Sequence, residues 1–109
     1  MSVYKIKKGT AIPSLRAVIK DSAGTPINLT GTTVTFRMRL ASGPAGVYAV
    51  NRVMAFTTNG SDGSVEIFFT ALETAVVGSY MGEFVINWAG SLQIVPNDDY
   101  AQIAIVETL

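Results

Sequence analysis

TTVTFRMRL, residues 32–40, carries an apolar side chain at every second position. Val34, Phe36, Met38 and Leu40 alternate with Thr33, Thr35, Arg37 and Arg39. A period of two belongs to an extended strand, whose successive side chains point to opposite faces. The stretch therefore predicts a strand with one face in a core and the other toward solvent or a partner.

The same period recurs on both sides. SLRAVIK (14–20) offers Leu15, Ala17 and Ile19 inward with Arg16 and Lys20 outward, Val18 breaking the polar row. SVEIFF (64–69) offers Val65, Ile67 and Phe69, which leaves Phe68 outside, and AQIAIVE (101–107) offers Ile103 and Ile105. GSYMGEFVINWAGSLQIV (78–95) reads as a hairpin, with Tyr80, Gly82, Phe84, Ile86 and Trp88 on one face and the turn at Ala89-Gly90-Ser91. Between these runs, Asp21 to Pro26 and Asn59 to Gly63 have turn chemistry: glycine supplies positive φ, and Asp or Asn bonds its own backbone.

Only TALETAVV (70–77) has helical character, with Thr70 as N-cap and Glu73 as its capping-box partner, enough for a single turn. Seven or eight short strands without crossover helices predict an all-β, antiparallel two-sheet sandwich. ASGPAGVYAVNRVMAF (41–56) departs from the regular pattern. Its breaker-rich start, Gly43 to Gly46, predicts an exposed loop or protruding hairpin, and the apolar run Val47-Tyr48-Ala49-Val50 reads as an edge strand or a patch left for a partner.

A chain of 109 residues fits one domain, residues 1–109, and can fold on its own core. There is no cysteine and no histidine, so disulfides, thiolate metal sites and the commonest general base are all excluded. That weighs against an enzyme, and no catalytic, cofactor or metal residue is assigned. Ser14, Ser79 and Ser91 have no histidine to activate them. No apolar run approaches the ~18 residues of a membrane helix, and MSVYKIKKGT lacks the apolar core of a signal peptide. The chain is expected to be made in the cytoplasm without a membrane partner.

The formal charge is zero, but residues 1–52 hold all eight basic residues and only Asp21, a net +7, and the remainder carries −7. Such a balanced chain is not expected to bind nucleic acid. Basic and acidic strands either alternate within each sheet and pair, or segregate to opposite faces and make a dipole that favours head-to-tail association.

Several pieces, in order, resemble a known family: Lys8-Gly9, Asp21 to Pro26, Leu29-Thr30-Gly31, Phe36 to Arg39, Gly78 to Tyr80, and Pro96 to Tyr100. Together they resemble the immunoglobulin-like N-terminal domain of the phage baseplate upper protein family, over residues 5 to 107. The resemblance implies an immunoglobulin-like sandwich and a non-enzymatic virion protein of the baseplate, tail or neck. It further implies contacts with other virion proteins, a homo-oligomer (trimer or ring), and hence the segregated charge arrangement. Ala41 to Asn51 is longer and more apolar than the family's turn. The sequence ends at Leu109, where longer relatives continue into a linker and a distal receptor-binding module, so the freestanding anchoring domain is implied.

The candidate interface residues are Val47, Tyr48, Val50, Trp88, Arg37 and Arg39. Tyr80 reads as a core tyrosine whose hydroxyl ties down a loop, the tyrosine corner of sandwiches. Asp98 and Asp99, with Asp62, raise calcium as an alternative to a backbone-bonding loop, but neighbours on an extended chain point apart. Asn28-Leu29-Thr30 matches a glycosylation sequon, and reads instead as a turn asparagine. A carbohydrate-binding or adhesive module is the rival function; its candidate aromatics are Tyr4, Tyr48, Phe68, Trp88 and Tyr100.

Overall fold

The computed structural model of the chain describes residues 3–10, 14–21, 23–44, 46–95 and 101–107. Nine strand segments run through them: β1 (Val3–Lys7), β2 (Leu15–Val18), β3 (Thr33–Leu40), β4 (Val50–Val53), β5 (Ala55–Phe56), β6 (Ser64–Ile67), β7 (Gly78–Trp88), β8 (Ser91–Val95) and β9 (Ala101–Val106). They form an all-β two-sheet sandwich. The larger sheet has the order β1-β9-β7-β3-β4, with β8 also on β7, and the smaller has the order β2-β6-β5.

The strand predicted at 32–40 is the spine of this arrangement. β3 pairs antiparallel with β7 from Thr33↔Asn87 to Leu40↔Tyr80. Val34, Phe36 and Met38 are buried, and so are Ile86 and Phe84 across from the first two and Tyr80 across from Leu40. From the smaller sheet come Leu15, Val65 and Ile67, with Ile19 and Phe69 just beyond the strands. Phe36 sits at the centre, its ring centroid 6.2 Å from that of Phe69 and 5.4 Å from that of Phe84. Gly82 lies directly beneath it: a Cβ there falls 2.8 Å from the Phe36 ring carbons, so the position admits no side chain without displacing the ring.

Nine segments exceed the seven or eight expected because two lines are interrupted. β8 and β9 follow one another along the same edge of β7, β8 against Phe84 to Trp88 and β9 against Gly78 to Gly82. β4 belongs to the larger sheet and β5 to the smaller, and the chain crosses between them at buried Met54, whose N–H bonds the Val34 carbonyl at 2.8 Å. The expectation of antiparallel pairing is corrected at one place: β1 runs parallel to β9.

The turns behave as their chemistry predicts. Asp21 Oδ1 accepts from the N–H groups of Ala23 and Thr25, and Asn28 Oδ1 accepts from the Thr30 N–H and hydroxyl. The sequon asparagine is thus a turn residue. Thr70 and Glu73 form the reciprocal capping pair, Glu73 N–H to Thr70 Oγ1 at 3.1 Å and Thr70 N–H to Glu73 Oε1 at 2.8 Å, on a turn that does not extend into a helix.

Among the described residues, four ion pairs join the basic first half to the acidic second: Lys8–Glu107, Arg16–Glu66, Arg37–Glu83 and Arg52–Glu73. Arg16 faces Glu66 and Arg37 faces Glu83 directly across paired strands. The expectation of segregation to opposite faces is therefore corrected. Strand order interleaves the halves, and the charges meet side by side.

Candidate functional site

The loop from Ala41 to Ala49 joins β3 to β4 at one end of the sandwich. Its closure is local: the Ala49 N–H bonds the Met38 carbonyl at 2.7 Å, and the Gly43 N–H bonds the Leu40 carbonyl at 3.0 Å. Arg39 fixes the loop from outside, its Nη1 donating to the carbonyl oxygens of Gly43 (2.9 Å) and Leu40 (3.3 Å). Arg37, two residues earlier on the same outer face, carries the Tyr48 ring, with the guanidinium carbon 5.3 Å from the ring centroid. Two arginines read from the sequence as interface candidates thus shape the loop that holds the apolar ones.

Facing this loop is the turn that precedes β7. Tyr80 is buried, and its hydroxyl donates to the Val76 carbonyl at 2.7 Å, the loop-tying bond expected of it. Burial raises its phenol pKa above the ordinary value. The turn is held from its other side by Arg52 of β4, whose Nε and Nη2 both reach Glu73 at 2.8 Å. Nη2 also bonds the Phe68 carbonyl at 2.7 Å. Burial pushes the Glu73 carboxyl upward, but the Arg52 hydrogen bonds and the Thr70 N–H outweigh it and hold the group below the usual carboxylate range.

Between loop and turn lies an apolar groove of about 190 Å³, walled by Leu40, Pro44, Val47, Tyr48, Val76 and Tyr80. Val47 is 62% exposed, Val76 57% and Tyr48 38%. Large apolar side chains left open around a concave apolar floor are the mark of an interaction site, since isolated exposed ones need no explanation. A second hollow of about 280 Å³ adjoins it, bordered by Ala41, Ser79, Met81, Gln102 and Ala104, and Tyr80 borders both.

The six interface candidates separate into three groups. Val47 and Tyr48 line the groove, and Arg37 and Arg39 brace it. Val50 is corrected: it pairs with Met38, takes that residue's inward face and is 1% exposed, so it belongs to the core. Trp88 lies eight residues beyond Tyr80 on β7, about 26 Å away along an extended strand, half-buried with its indole N–H on Gln93 Oε1 at 2.9 Å. It is not part of this site. Val76 is part of it, and its only sequence signal is an apolar pair in a turn, which does not mark a site.

Among the described residues, the aromatics proposed for glycan binding lie at separate places. Phe68 points outward from the smaller sheet, Tyr48 lies on Arg37 at the larger sheet's outer side, and Tyr4 is half-buried with its hydroxyl on the Ser14 carbonyl. Asp98, Asp99 and Tyr100 lie outside the described residues, and the calcium alternative lies there with them. Asp62 is a turn acceptor, taking hydrogen bonds from the Ser64 N–H and the Thr58 hydroxyl that lower its pKa. Among the described residues no three acidic side chains come together as metal ligands. No protein-family model and no curated protein matches the chain.

Proposed function

We propose that this domain is a non-enzymatic structural protein of a phage or prophage virion, an immunoglobulin-like module that packs against neighbouring virion proteins in the baseplate, tail or neck. The observation that carries the docking role is the apolar groove between the 41–49 loop and the Val76 turn. The virion setting rests on the ordered motifs from Lys8-Gly9 through Tyr80 to Pro96–Tyr100 that resemble the baseplate upper protein family.

The immunoglobulin-like reading draws support from strand order. A small sheet β2-β6-β5 faces a larger one in which β3, β7 and the β8/β9 line are neighbours, the two-sheet partition of that fold. The Tyr80 to Val76 bond, near the start of β7, resembles the tyrosine corner of such domains and adds to that support. A sequence without histidine or cysteine fits a role in surfaces rather than in bond-making. The protein is made in the host cytoplasm and incorporated as several copies, a trimer or ring, with no cofactor, nucleic acid or membrane partner.

Electron microscopy of purified particles labelled with antibody to this protein tests the virion assignment. Label at a fixed place on the tail or neck is the expected result, and particles without label contradict it.

A further inference from the structure

The groove carries its own indication of what fills it. Its walls are apolar, and two guanidinium groups touch them: Arg37 lies on the Tyr48 ring and Arg39 bonds the Gly43 carbonyl. Arg39 makes no ion pair among the described residues, and its hydrogen bonds leave through Nη1 alone, both to loop carbonyls. Arg37 reaches Glu83 only at 3.4 Å through Nη2, and its Nε is buried without an acceptor. Among the described residues, Glu83 is engaged by Arg37 and Glu73 by two nitrogens of Arg52. The buried Arg37 Nε is out of a ligand's reach, but Arg39, with donors free of partners among the described residues and beside an apolar groove, favours a ligand that supplies a carboxylate.

Arg39 also meets one residue of each depression. Its guanidinium is bonded to Gly43 of the groove, and its backbone is in register with Met81 of the neighbouring hollow.

We propose that the groove binds an extended segment of a partner protein in which a large apolar residue is followed closely by Asp or Glu. The apolar side chain enters between Val47, Tyr48 and Val76, and the carboxylate lies on Arg39, with the continuing chain over the hollow edged by Ser79 and Gln102. This occupant rests on the docking role proposed above and specifies its chemistry.

The test is a random-peptide display library panned against the immobilised full chain. Enriched peptides are expected to carry Asp or Glu adjacent or next but one to Leu, Ile, Phe or Trp. The best of them, made synthetically, is expected to bind about ten- to a hundredfold more weakly to Arg39→Gln, the loss of a charge-assisted hydrogen bond. It should lose binding to Tyr48→Lys and recover part of it with Arg39→Lys, which keeps the cation. Enrichment without an acidic bias, equal binding to Arg39→Gln and wild type, or no enrichment at all overturns the proposal. If the library fails in any of these ways while Tyr48→Lys still removes the protein from particles, the docking role stands and the assigned occupant falls.

Discussion

Phe36 concentrates the stability of the domain, because one ring touches both sheets. It has no exposed surface, packs on Phe69 and Phe84, and closes over the space left by Gly82. Phe36→Ala is expected to cost about 3–5 kcal/mol, the range for removing a buried aromatic, and urea unfolding at neutral pH reads it directly; an unchanged midpoint contradicts this packing. Ala89 is a different case. It sits at φ 49° beside Gly90 at φ 103°, the paired positive angles of a two-residue hairpin turn. Ala89→Gly is expected to raise stability by about 0.5–1 kcal/mol, the left-handed strain relieved less the freedom glycine has when unfolded, seen as a higher melting temperature. The inward set around Phe36 was legible because alternation alone decides which face each residue takes. Val50 was not. Its side is fixed by Met38 across the hairpin, and an unbroken apolar run conceals that register.

At the scale of elements, the 70–77 turn shows how a short motif acquires a tertiary role. The capping pair of Thr70 and Glu73 was legible from spacing, but the bidentate contact from Arg52 depends on β4 lying beside the turn, which no local pattern records. The consequence is a pH dependence of known sign. The Glu73 carboxyl has a folded pKa below its ordinary value, so its contribution is present above about pH 4.3 and is lost as pH falls through the lowered folded value. Glu66, held down by the Ser14 hydroxyl and Arg16, and Asp62 titrate in the same sense. Glu73→Gln is therefore expected to lower stability at neutral pH and to flatten part of its decline in acid, measured by urea unfolding across pH 2–7. Parallel curves for the variant and wild type contradict the ion pair. The sheet crossing at Met54 was equally hidden, since an apolar residue between two short strands has the same pattern whether or not the chain changes sheets.

At the scale of the molecule, the opposed charge of the two halves becomes neighbouring pairs, because strand order sets first-half β2 and β3 against second-half β6 and β7. The groove arises in the same way. Val47 and Tyr48 come from one loop, while Val76 and Tyr80 come from a segment some thirty residues later that pairing of Leu40 with Tyr80 draws alongside. The first pair was legible as an apolar run after breakers, but its wall was not, because only long-range pairing builds it. The groove is a surface, not a support for the core, so a charge placed in it should spare folding and abolish docking. Incorporation of Tyr48→Lys into particles, quantified against wild type with circular dichroism and melting temperature as the folding control, tests this most directly. A folded variant missing from purified particles is the predicted result; a folded variant incorporated at the wild-type level contradicts it.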